Sequence, residues 1–446
     1  MDLRQEMFRN CIPAIICTVL NGIYTIIDGF FIGQSVGENG LAAINLVWPV
    51  PAVITAAGTA IGTGGGICLS LERGKKKRQQ TGIIFQNTFV LFGTASLFLT
   101  AALSAGLKKI LVLLGAGQGT EVLAQEYGVV IAAFAAVQIL GSGIIPLLRN
   151  AGKPVTAMCC MICGMLVNIC LNYFFIFVQN MGISGAAWGT VGAQLVVAFL
   201  GLLFFFFLGR RNGREKTAVK RREDVSKKNV LSFRVMLRWS KRILYNGGAV
   251  FGITLLPTWI LALTNYQCMR LCGTAVVAIY AVISYLVFPI QNILVGIADG
   301  IQPLVSLYAG KKDTESISRL IKLADRSVAV LALLFLCLVF ASAPVTGYFF
   351  GLAQEHMADY VWGLRAAAIS FLPYGLSRLK ITCMNGRGQS KKAAILVYGE
   401  TLVIAPAALI MLPIFLGIKG IWIEPLAVAG ICQLLTYKME DFAFPV

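Results

Sequence analysis

Charge is what this sequence has least of. Only 13% of its 446 residues are Asp, Glu, Lys or Arg, about half the ~25% typical of soluble domains. What charge there is leans one way, with 20 acidic residues against 38 basic. Histidine is almost missing: His356 is the only one. No HExxH and no pair of aspartates at mid-depth occurs, so hydrolysis and acyl transfer have no visible apparatus and an enzyme is not expected. What fills the space is apolar: 57% hydrophobic residues and a mean hydropathy of +0.78. A soluble multidomain enzyme, a disordered chain and a disulfide-stapled secreted module are all excluded.

Apolar stretches bounded by charge clusters or Gly/Asn/Pro turns number twelve, each near or beyond the ~20 residues that a spanning helix needs. The first six are 8–33, 41–71, 83–105, 127–148, 155–178 and 185–209; the second six are 243–268, 275–309, 327–350, 361–384, 393–416 and 421–437. The expected fold is all-α and polytopic, with twelve transmembrane helices in two six-helix lobes. Residues 1–209 form the N-lobe, 210–242 a basic cytoplasmic linker and 243–446 the C-lobe. With an even number of spans, 31 of the 38 basic residues fall on one side and five on the other. That is the positive-inside pattern of a plasma-membrane protein with both termini cytoplasmic. Because the charge is spread over every inner loop, it serves topology and anionic headgroups rather than a nucleic acid. The stretch 227–242 mixes Lys and Arg with Val230, Phe233, Leu237 and Trp239, the pattern of an interfacial helix or of a solvated linker. The twelve cysteines lie mostly in the spans, and the CCxxC of Cys159, Cys160 and Cys163 reads as helix packing, not as a metal site.

The two halves echo each other. SLERGKK at 70–76 matches SLYAGKK at 306–312, and Trp48-Pro49 matches Phe288-Pro289. The turn at 149–154 pairs with 385–390, and Met181-Gly-Ile-Ser-Gly185 with Leu416-Gly-Ile-Lys-Gly420. Six spans separate the copies, so both face the same way: a parallel pseudo-twofold repeat about the membrane normal, typical of secondary transporters.

Ionisable residues inside spans cost about 2.5–3.5 kcal/mol each on insertion scales and are functional candidates by default. They are Asp28, Asp299, Arg378, Lys380 and Glu400, with Glu424 near the outer end of its span. On the first helix Asn21, Tyr24, Thr25 and Asp28 share a face, and on the fifth Asn168 and Asn172 do. At ~1.5 Å rise per residue, Asp28 and Asn172 lie about 28 and 27 Å from the inner ends of their helices, the same level as Thr190 at the start of the sixth. A carboxylate, two amides, a hydroxyl and a phenol at one height suit Na⁺ or a proton; the alternative is interhelical hydrogen bonding. Apart from Na⁺ at Asp28, no metal or cofactor is expected. In the C-lobe, Arg378 and Glu400 stand at similar depth on neighbouring helices and are placed to pair. Asp299, flanked by Gly and Pro, is a further candidate ion or substrate contact, as are Glu400 and Arg378.

Taken together, Pro13, Tyr24-Thr-Ile-Ile-Asp28-Gly-Phe-Phe-Ile-Gly33, Gly40-Leu-Ala-Ala43, Asn168-Ile-Cys-Leu-Asn172 and Gly182-Ile-Ser-Gly-Ala-Ala-Trp-Gly-Thr190 resemble the multidrug and toxic compound extrusion (MATE) transporters, DinF-like bacterial branch of the MOP flippase superfamily. Gly300-Ile-Gln-Pro-Leu304 and Gly417-Ile-Lys-Gly-Ile-Trp422 extend the resemblance to the second lobe. It implies antiport of organic cations or drugs against Na⁺ or H⁺, by alternating access of a central cavity in a monomer within the lipid bilayer. It also implies a cation site of Tyr24, Asp28, Asn168, Asn172 and Thr190, with Pro13 as the first-helix bend. Asn172 stands where DinF-like members usually place an Asp. A lipid-linked saccharide flippase of the same superfamily is the alternative, although such a protein would line its cavity with cations and only Arg378 is a deep one. The charge asymmetry predicts that a fluorescent protein fused after Val446 is bright and that alkaline phosphatase fused there is inactive; the reverse would invert the topology.

Overall fold

The computed structural model describes residues 2–114, 120–219, 233–272, 274–349 and 354–441. All regular structure among these is helical. Ten helices are long and apolar enough to cross a membrane, so the chain is a multi-pass membrane protein. Contacts divide it into two units.

The N-unit comprises residues 20–254. It holds the second part of α1 (Leu3–Val36), then α2 (Glu38–Val47), α3 (Pro49–Gly74), α4 (Arg78–Leu113), α5 (Glu121–Ala133), α6 (Ala135–Asn150), α7 (Pro154–Tyr173), α8 (Gly182–Val219) and the first part of α9 (Phe233–Cys272). The span expected as straight over 127–148 is bent instead: α5 and α6 meet at 63°. The break falls at Phe134, where the Gln138 amide donates to the Ile131 carbonyl at 2.9 Å and satisfies a backbone acceptor freed by the bend. A five-residue π-turn, Phe174–Val178, ends α7.

The C-unit comprises residues 1–19 and 255–446. It holds the first part of α1, the rest of α9, α10 (Thr274–Lys311), α11 (Thr314–Phe349), α12 (Gln354–Ile369), α13 (Phe371–Gly386), α14 (Ser390–Gly399), α15 (Ala405–Leu416) and α16 (Ile418–Asp441). A second π-turn, Glu400–Ile404, joins α14 to α15. The span expected at 361–384 is split at Ser370 into α12 and α13, two helices of 16 residues carrying Arg365, Arg378 and Lys380. It thus falls short of the others in length and apolarity, yet completes the twelve-span, two-lobed layout. Large apolar side chains such as Leu97, Phe98, Leu113 and Phe415 stand more than two-thirds exposed, as a lipid-facing surface requires.

The repeat is carried by hydrogen bonds as well as letters. Ser70 Oγ donates to the Asn150 carbonyl at 2.9 Å, and Ser306 Oγ, 236 residues on, donates to the Gly386 carbonyl at 2.8 Å. Lys76 and Lys312 close α3 and α10 with φ of 58° and 61°, and Gly152 and Gly388 turn the next corner with φ of 77° and 82°.

The two compact units do not coincide with the expected lobes: residues 1–19 group with the C-unit, and residues through 254 with the N-unit. The first parts of α1 and α9 are exchanged, and equivalently so. Gly64 packs so tightly on α9 that a Cβ there would stand 2.1 Å from the Ile243 carbonyl oxygen; its counterpart Gly300 would place one 2.5 Å from Cys11 Cα. Arg242 lies 3.8 Å from Glu72, and at the matching positions Tyr308 donates to Glu6 at 2.7 Å. Trp239, read as part of a surface helix or linker, is 7% exposed and packs with Cys68, Leu69, Ile84 and Ile243. Residues 220–232 of the expected linker lie outside the described residues. A Gly64→Leu variant should lose at least the ~1–3 kcal/mol of ordinary overpacking, because the obstacle is backbone. Thermal unfolding in detergent checks this against Gly82→Leu, where a Cβ meets nothing.

Candidate functional site

Three helices of the N-unit bring polar side chains to one place. α1 supplies Tyr24 and Asp28, one turn apart on one face; α7 supplies Asn168 and Asn172, also one turn apart; α8 supplies Thr190 near its start. Asn172 Nδ2 donates to Asp28 Oδ1 at 2.5 Å and to Asn168 Oδ1 at 3.3 Å. Thr190 Oγ1 donates to Asp28 Oδ2 at 3.3 Å, and Asn168 Nδ2 to the Tyr24 hydroxyl at 3.3 Å. All five residues named from sequence therefore form one hydrogen-bonded cluster. Both asparagines are fully buried. No basic side chain pairs with Asp28 among the described residues, so the carboxylate is held by neutral donors alone.

Two further residues complete the cluster. Tyr127 of α5, buried, meets Thr190 and lies in the field of Asp28. It is the lone polar group on its face, so no periodicity flagged it. Gly189 comes so close that a Cβ there would stand 1.9 Å from Asn172 Oδ1. That oxygen is buried and has no hydrogen-bond donor. A buried acceptor without a donor is costly unless something positive occupies the space before it. The donor set, one carboxylate with amide, hydroxyl and phenol oxygens, is that of a hard cation. Beside Tyr24 a hollow is lined by Leu20, Asn21, Met161, Met165 and Gln194.

The C-unit candidates take another form. Arg378 Nη2 donates to Glu400 Oε1 at 2.7 Å, and both side chains are largely buried. The guanidinium also lies 5.0 Å over the Tyr374 ring, and Cys432 Sγ donates to Glu400 Oε2 at 3.3 Å. Here the protein supplies its own counter-ion, so neither charge is left for a solute. Lys380 pairs with Asp325 of α11 at 3.2 Å. Asp299 lies half-buried on α10, outside the Arg378 pair. Pro13 lies within the continuous helix α1.

A bundle of membrane-spanning helices in two repeated lobes, with an uncompensated carboxylate inside one of them, defines a transporter. The MatE family model matches residues 13–174 and 250–410, and the chain belongs to that family. It is similar to the multidrug export protein MepA of Staphylococcus saprophyticus, 25% identical over 446 residues that cover 98% of this chain and 94% of that one. Among solved structures it matches a MATE transporter in complex with MaL6, with a TM-score of 0.88, 20% identity and 99% and 96% of the two chains covered. The outward-facing conformation of a multidrug resistance MATE family transporter of the MOP superfamily gives the same figures. The fold is thus the expected one.

Breaking the buried pair from one side should cost about 3–5 kcal/mol, because a lone charge is left in the interior. Glu400→Ala should therefore unfold at much lower temperature than wild type, and Arg378→Met with Glu400→Leu should recover most of the loss. A double variant as unstable as the single one would mean that the pair itself holds α13 to the π-turn.

Proposed function

We propose that the protein exports amphipathic, cationic small molecules by antiport against a monovalent cation, Na⁺ or H⁺, that binds at Asp28. The observation that carries this reading is the carboxylate held without a counter-ion beside the donorless Asn172 Oδ1. Either ion completes the cluster. Na⁺ takes the oxygens of Asp28, Asn168, Asn172 and Thr190 as ligands. For a proton, a half-turn of the Asn172 amide brings its oxygen to Asp28, where it accepts the hydrogen bond of the neutral carboxyl. The similarity to MepA supports drug-like cargo, and the hollow beside Tyr24 supports it chemically: Met161 and Met165 are flexible and polarisable, suited to apolar bodies of differing shape.

Transport then follows as a population shift. A chain that alternates between inward- and outward-facing states is driven toward whichever state binds the ion more tightly, and by linkage the ion and the solute change each other's affinity by the same factor. Both termini are placed in the cytoplasm, and the protein acts as a monomer without a resident cofactor. Against the flippase alternative stand the deep cations of α13: Arg378 is paired with Glu400 and Lys380 with Asp325, and neither is offered to a pyrophosphate.

Asp28→Asn should leave the protein inserted and folded while ion-driven efflux of ethidium from proteoliposomes falls to the protein-free background. Imposing a Na⁺ gradient and a pH gradient separately identifies the ion. Wild-type efflux by this variant would remove Asp28 from the mechanism. Asn172→Asp adds a second carboxyl and should change the pH profile of transport; an unchanged profile would uncouple that position from the ion.

A further inference from the structure

The repeat allows the N-unit cluster to be projected onto the C-unit. At the 236-residue offset Asp28 corresponds to Thr264. After the turn the offset is 235, from Gly182 and Gly417 with φ of 57° and 56°, so Gly189 corresponds to Glu424. Asn172 corresponds to Ala407 or Ala408, and the amides have no equivalent. The helices nonetheless meet in the same way. As α1 is tied to α7 by Asp28 and Asn172, so α9 is tied to α15, where Gln267 Nε2 donates to the Leu409 carbonyl at 3.1 Å. The side of α8 on which Gly189 faces Asn172 is therefore the side of α16 on which Glu424 projects.

We infer that Glu424 is a second proton-carrying site, the C-unit's counterpart of the Asp28 cluster, with its carboxyl moved from the first helix of the repeat to the sixth. This rests on the reading of Asp28 as the coupling carboxylate and extends it to the other unit.

Glu424 is 6% exposed, and no basic side chain stands within ion-pairing distance of it among the described residues. Its neighbour is Tyr280 of α10, which lies beside Thr264 of α9 and Ser284 and whose ring stacks 6.4 Å from that of Trp422. Of the cations on α16 and the elements packed against it, Arg378, Lys380, Arg365, Lys392 and Lys419 are otherwise engaged, Lys380 by Asp325 of α11. Glu400 of the π-turn adds a like charge, and Arg378 of α13 is spent on Glu400. Arg365 of α12 donates to the Phe340 carbonyl, and Lys392 of α14 to the Met439 carbonyl. On α16 itself Lys419 stacks on Trp362. A bare carboxylate in such surroundings meets a desolvation penalty of several kcal/mol that nothing repays. Its occupant is therefore a proton: α15 lacks the amides with which α7 could surround Na⁺. Ionisation then requires water or the positive charge of a solute to reach Glu424, so its proton leaves only when the C-unit is opened.

The test is infrared difference spectroscopy of the full chain reconstituted in lipid, stepped between neutral and alkaline pH. Wild type should show a protonated-carboxyl C=O band, at the frequency of a buried acid, that is lost in Glu424→Gln and kept, shifted, in Glu424→Asp. Asp28→Asn should retain that band. An identical spectrum for wild type and Glu424→Gln, with the variant monodisperse, overturns the inference and leaves the Asp28 reading intact. Retention of the band together with normal efflux by Asp28→Asn sinks the latter alone. Should Glu424→Gln not fold, Glu424→Asp decides: a band that does not shift belongs to another residue.

Discussion

A charge inside the membrane has to find its compensation within reach, because hydrocarbon offers none. The structure answers this constraint in opposite ways on its two sides. Glu400 is given Arg378 as a built-in counter-ion at 2.7 Å and becomes part of the scaffold. Asp28 is given amides, a hydroxyl and phenols, all neutral. On the proposed function, the difference between a structural and a working carboxylate lies in whether the partner charge is covalently part of the chain. There a diffusible ion supplies the charge that Asp28 lacks, and the occupancy of the site becomes a variable that conformation can depend on.

The repeat gives the contrast its meaning. Corner for corner, the two units share the same serine-to-carbonyl bonds and the same left-handed turn residues. Against that common frame, the polar interiors have diverged: amides on α7 with no equivalent on α15, a glycine on α8 against a glutamate on α16. A duplicated scaffold preserves packing, where a single misplaced atom is felt, and leaves the interior polar groups free to specialise.

Much of this was legible in the letters. Spans announce themselves because hydrocarbon permits only one backbone solution, and the five-residue cluster could be assembled from helix periodicity and rise alone. Three things escaped. The bend at Phe134 depends on Gln138 reaching a carbonyl seven residues back, a contact without a local pattern. Tyr127 is an isolated polar residue on an apolar helix, and its meaning comes entirely from α8 opposite. The lobe boundary was drawn at the basic linker, where charge changes, whereas packing draws it inside α1 and α9. There Trp239, amphipathic by sequence, is enclosed by Cys68 and Ile84. Charge marks which side of the membrane a segment lies on, not which neighbours it packs against.

That internal boundary makes the two halves of the chain interdependent. The groove at Gly64 is filled by a stretch encoded in the second half, and the groove at Gly300 by one encoded in the first. A chain cut at the basic linker would leave each half without the segment that fills its own groove, so neither half carries all the parts of a complete unit.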